Sequence, residues 1–173
     1  LDVRRKIEAA FQDMVQPAKE ALWNALQSLP FTITEIAPYV TEPETLPYGR
    51  NTVFRNEHVE VVVIHLPPFT QSPIHDHGGS AACERVVEGK LTHATYTLSS
   101  GSRPVLKKIE LVHPGQHCSV DPQELHSIAN HTDKRVVTIN VYAPPLSLSN
   151  VCQTDGEAED PAARSRTREH SNR

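Results

Sequence analysis

Between Asn51 and Ala143 the chain is a succession of short β-branched runs, and this texture restricts its fold more than any other feature. The runs "TVFRN", "VEVVVIHL", "ERVVEG", "LTHATYTL", "VLKKIELV", "QHCSV" and "RVVTINVYA" are bounded by Gly, Pro, Asn and Asp at short intervals. Runs of that length and spacing predict an antiparallel barrel or sandwich. "VVVIHL" does not alternate apolar with polar, so it is expected to be a central strand covered on both faces. The first 40 residues read differently. "LDVRRKIEAAFQDMV" and "AKEALWNALQSL" carry apolar residues at helical spacing on either side of Pro17, and "ITEIAPYV" suggests a third, short helix.

The expected fold class is therefore mainly β: a small barrel or jelly roll with an N-terminal segment of two to three helices. Residues 1–47 are expected to form the helical segment packing on the barrel, and 48–148 the barrel itself. Residues 149–173 form a polar tail expected to be disordered beyond about Thr154. A formal net charge of -4 and a pI near 6.2 give no electrostatic footprint for nucleic acid or for an anionic membrane. No apolar run has the roughly 20 residues of a membrane helix, and no signal peptide is recognised. Cys83, Cys118 and Cys152 are an odd set with no zinc spacing, as expected of a reducing compartment. A cytoplasmic monomer is the expectation.

The chemistry concentrates in "SPIHDHGGSAAC". Residues i and i+2 of a strand share a face, so His75 and His77 can converge on one ion while Asp76 points away. His126, in "DPQELHSIAN", follows about fifty residues later and can return opposite the pair in a closed barrel. Two histidines from one strand and one from another make a facial three-nitrogen site with open positions. The other histidines read as polar residues without a motif. His58, His93, His113, His117, His131 and His170 lie in turn-like or polar contexts, "HPGQH" reads as a hairpin turn, and His65 reads as a hydrogen-bonded core residue.

"IHDHGGSAACERVVEG", ending at Gly89, and "LHSIAN", from His126 to Asn130, resemble the two cupin signatures. Most metal cupins add a glutamate five residues after the second histidine. Here that slot holds Ala82, and Glu84 lies two residues beyond on the same strand face. Three neutral imidazoles would leave the full double charge of a divalent ion, which favours an anionic donor such as a thiolate.

From about Tyr48 to Pro145 the sequence resembles cysteine dioxygenase, the thiol dioxygenase branch of the cupins. The resemblance is carried by "PYGRNTVFRNEHVEVVVIHLPP", "SPIHDHGGS", "VVEG", "LHSIAN" and "VYAPP". It implies Fe(II) on His75, His77 and His126, and L-cysteine chelated through thiolate and amine. It further implies that O2 delivers both its atoms to sulfur. It also implies that Arg50 binds the substrate carboxylate, a bidentate task suited to guanidinium, with Tyr48 close by. The family's Ser-x-His-x-Tyr strand falls on Thr138, Asn140 and Tyr142. The phenol of Tyr142 is then the group that reaches oxygen or substrate.

Asn140 departs from the family histidine, because an amide hydrogen-bonds without carrying a proton. Ala82 occupies the slot of the cysteine that cross-links to the tyrosine in animal members, which suggests a bacterial-type member. Cys83 is expected to face away as a buried thiol. The alternatives are a dioxygenase of another small thiol carboxylate, such as 3-mercaptopropionate, and a cupin that binds metal or ligand without turnover.

Overall fold

The computed structural model describes residues 2–99 and 103–146; the C-terminal tail lies outside the described residues, as does His170. Helices α1 (Val3–Phe11), α2 (Lys19–Ser28) and α3 (Ile33–Ile36), the last continued by a 3₁₀ turn, precede nine strands. These are β1 (Gly49–Arg55), β2 (Glu60–Leu66), β3 (Thr70–Gln71), β4 (Ala81–Glu88), β5 (Leu91–Leu98), β6 (Pro104–Val112), β7 (His117–Val120), β8 (Leu125–Asn130) and β9 (Val136–Ala143). They form two facing antiparallel sheets, ordered β1-β2-β9-β4-β7 and β3-β8-β5-β6. The fold is mainly β with three helices, as the sequence predicts.

The five-stranded sheet has two working faces because strand side chains alternate. Val61, Val63, Cys83, Val137, Ile139 and Val141 point outward into one apolar cluster with Val3, Ile7 and Phe11 of α1 and Leu22 and Leu26 of α2. Val62, Ile64, Ala82, Val86, Val136 and Tyr142 point inward against Leu91, Val112 and Ile128 of the other sheet. All seven residues of β2 are buried, which explains its unbroken apolar run. Each fully buried large aliphatic contributes about 1.5–3 kcal/mol, so the helices stabilise the outer face of the sheet that bears the site. Arg85 reinforces this contact, its Nη1 donating to the carbonyls of Leu26 and Leu29 at the end of α2, 3.3 and 2.5 Å away.

Two signature residues act through the backbone. Gly89 has φ +83°, and a Cβ there would meet the Arg135 carbonyl oxygen at 2.4 Å, so only glycine fits the β4–β5 turn. The buried Asn130 amide nitrogen lies 3.2, 2.9 and 2.7 Å from the carbonyls of Leu66, Pro67 and Lys134. Its Oδ1 accepts from the Thr132 N–H and hydroxyl. That amide closes the loop after β2 onto the loop after β8.

Candidate metal centre and substrate pocket

His75, His77 and His126 come together as expected: one ring nitrogen from each lies within 4.8 Å of the others. The route to that geometry differs from a plain strand. His75 forms an isolated bridge with His126, with backbone N–H···O bonds of 2.9 Å in both directions. His77 has left the ladder, because Gly78 and Gly79 follow at φ +57° and +93° and turn the chain. Asp76 lines the same cavity but is not one of the converging groups; its Oδ1 accepts from the Gly78 N–H at 2.8 Å, which shapes the turn.

The three rings present a consistent donor set. Nδ1 of His75 faces the Pro73 carbonyl at 2.9 Å, which leaves Nε2 as its lone-pair atom. Nε2 of His126 and Nε2 of His77 stand 3.1 Å apart. Burial lowers the pKa of all three, His77 to about 3 and His126 well below its ordinary value. Neutral imidazoles converging through Nε2 are what a divalent transition ion requires. The residues fit a metal.

No carboxylate joins the cluster among the described residues. Ala82 faces inward beneath Tyr142, its cross-strand partner. Glu84 is one pleat deeper, opposite Asn140 on β9 and Cys118 on β7. It is 4 % exposed; Oε2 accepts from the Cys118 thiol at 3.5 Å and Oε1 has no partner. Desolvation raises its pKa to about 7, against the opposing pull of Thr138 and Cys118. Cys83 faces the helices, as expected, and burial pushes its thiol up to about 11.

A cavity of about 460 Å³ opens beside the histidines. Tyr48, Arg50, Glu84, Asn140 and Tyr142 line it, with Ile64 and Ile128 as apolar walls. Tyr142 packs edge-on to His77, ring centroids 5.1 Å apart, and burial holds its phenol protonated well above the usual range. Burial also raises Tyr48. Asn140 donates from Nδ2 to Thr138 Oγ1 at 2.8 Å, along its own strand, rather than to Tyr142.

Arg50 is not free-standing. Its Nη2 meets Glu60 Oε1 at 2.9 Å, and Arg55 Nη1 meets Glu60 Oε2 at 2.9 Å. Thr52 and the Leu146 N–H complete the donors to this 1 % exposed carboxylate. Two guanidinium groups share one carboxylate, so this end of the cavity keeps one unit of positive charge. Glu60 and Arg55 were missed in the sequence; Glu60 shares the parity of inward-facing Val62 and Ile64, which is the signal that marks it.

Two histidines correct the sequence reading. His93 is not in a polar turn: it sits on β5, 1 % exposed, its Nε2 3.1 Å from Nδ1 of His126. The alternation of "LTHATYTL" puts it on the inner face with Leu91 and Thr95. His117 begins β7 and stacks on Trp23 at 4.5 Å. The preceding residues do make a hairpin turn, closed by Gln116 N–H to the His113 carbonyl at 2.9 Å. His65 is a buried residue with Nδ1 3.0 Å from the Thr41 carbonyl, as expected.

Two antiparallel sheets closed around a three-histidine cluster define a cupin. Within that class, the family model of cysteine dioxygenase type I matches residues 11–154, and the chain belongs to that family. Solved structures agree on the fold. TT1209 from Thermus thermophilus is 17% identical with a TM-score of 0.53, covering 63% of this chain and 93% of that one. The Cnp3 cupin domain of Schizosaccharomyces pombe is 14% identical with a TM-score of 0.52, covering 63% and 72%. An oxalate oxidase is 13% identical with a TM-score of 0.50, covering 70% and 64%. At such identities the likeness concerns the fold alone. Among the described residues, no helix is long and apolar enough to cross a membrane.

Proposed function

We propose that the protein is a thiol dioxygenase that oxidises L-cysteine with O2 to cysteine sulfinate, using Fe(II) held by His75, His77 and His126. The observation that carries this reading is one cavity that joins a three-imidazole cluster to a guanidinium. A thiol carboxylate fits both ends. The net conversion takes one thiol and one O2 to one sulfinate and one proton, so no further reductant is needed.

When bound, Fe(II) supplies the redox chemistry and open positions for thiolate and O2. The chain's own residues do the rest. Arg50 grips the carboxylate through the N–H groups that Glu60 leaves unused, with Tyr48 beside it. Glu60 holds the guanidinium in place and Arg55 offsets its charge. Tyr142, protonated at neutral pH, donates a hydrogen bond toward the reacting sulfur or oxygen. Ile64 and Ile128 keep the cavity wall apolar, which limits bulk water and strengthens the polar contacts. Thr138 and Asn140 brace the floor.

Purified Fe(II)-loaded protein offered L-cysteine, 3-mercaptopropionate and cysteamine should consume O2 fastest with L-cysteine and form cysteine sulfinate, with both oxygens from labelled O2. Preference for 3-mercaptopropionate would move the substrate to another thiol carboxylate. Metal binding with no turnover of any thiol would make the protein a binding cupin.

A further inference from the structure

His93 lies between two compartments. On one side its Nε2 is 3.1 Å from Nδ1 of His126, whose other nitrogen faces His77. On the other side it lines a second cavity, about 380 Å³, with Lys108, Glu110 and Glu124. Nδ1 of His93 has no hydrogen-bond partner; the nearest acidic atom, Glu110 Oε2, is 3.9 Å away, a charge contact rather than a hydrogen bond. Glu110 is in turn held by Lys108 at 2.6 Å. A buried imidazole wedged behind another imidazole has one arrangement without two facing protons or two facing lone pairs for each tautomer choice.

The neighbouring groups select between those arrangements. A carboxylate near Nδ1 of His93 favours the proton there, which leaves Nε2 as an acceptor. His126 must then carry its proton on Nδ1, and its Nε2 lone pair points at the cluster. We propose that His93 is a positioning residue, accepting from His126 so that this ligand keeps both its tautomer and its ring orientation, with Glu110 favouring the accepting form of His93. The inference rests on reading the three-histidine cluster as a metal centre. Outer partners of metal-bound histidines commonly change metal affinity by about 10–100-fold when removed.

The test uses Co(II) and Zn(II) as probes, with affinity measured against a competing chelator. His93→Leu, which removes the acceptor, should weaken binding by about 10–100-fold. His93→Gln, which can place an amide oxygen near the same point, should recover most of the loss. Glu110→Gln, at a half-exposed position, should weaken binding a few-fold while the metal-free protein melts as before. In the Zn(II)-loaded wild type, nitrogen-detected NMR should find His93 with its proton on Nδ1. This last measurement decides the matter even if His93→Leu fails to fold. A proton on Nε2 of His93, or wild-type affinity in a folded His93→Leu, overturns the proposal. A wild type that binds neither ion overturns the metal reading itself and this inference with it.

Discussion

Replacing Glu84 by glutamine should change how stability depends on pH. The carboxyl is 4 % exposed, and burial raises its pKa from the ordinary 4.5 to about 7. The folded state therefore holds a proton that the unfolded chain releases above pH 4.5. Below that pH both states are protonated and the group costs nothing. As pH rises from 4.5 towards 7 the unfolded chain gains stability by ionising, and above 7 the penalty is constant. A difference of about 2.5 units at 1.36 kcal/mol each gives roughly 3 kcal/mol. Glutamine cannot ionise, so the variant lacks this slope. Urea unfolding of chelator-treated protein from pH 4.5 to 8 measures it. The stability of Glu84→Gln relative to wild type should climb by roughly 3 kcal/mol over that range, whatever constant offset the lost Cys118 contact adds. The other charged groups are common to both proteins and cancel in the difference. Parallel curves would refute the reasoning, and would mean that Glu84 is solvated or ionised inside the fold.

Arg50→Ala should lower kcat/KM for L-cysteine by about 10–100-fold, the worth of a charge-assisted pair. Cysteamine, which has no carboxylate, should hardly respond; equal losses would show that Arg50 serves only to neutralise Glu60. Tyr142→Phe should reduce turnover by about fivefold or more, the value of one hydrogen bond, with metal content by elemental analysis unchanged. Asn140→His should keep metal and either raise L-cysteine turnover or add a pH dependence near neutrality. A variant silent in rate, pH profile and thiol preference would make position 140 a packing site.

The barrel was legible because β2 and β9 are too apolar to sit anywhere but between two covered faces. The three-histidine cluster was legible because His75, His77 and His126 stand in two short motifs whose spacing is readable without the fold. Other features depend on long-range pairing that local pattern does not encode. The two-residue β3 exists only because Thr70 and Gln71 meet Asn130 and Ala129. His77 sits outside any strand, ahead of two glycines at positive φ, which the His-x-His spacing alone does not reveal. His93 was misread by weighing its polarity over its parity: a histidine alternating with Leu91 and Thr95 is an inward residue. The Asn140–Thr138 bond could not be foreseen either, since one face of a strand allows an amide to turn along its own chain or across to the next.

The two faces of β9 give adaptation a ready division of labour. Thr138, Asn140 and Tyr142 face inward, the last two lining the cavity, while Val137, Ile139 and Val141, interleaved with them, are gripped by the helix-covered core. Drift in what the protein accepts can therefore accumulate at Asn140, which lines the cavity and belongs to neither apolar cluster, while the positions on either side of it stay fixed and keep the scaffold standing. A library confined to position 140 would search new ligand preferences with most of its members still folded, whereas one spread over 137, 139 and 141 would mostly return broken barrels.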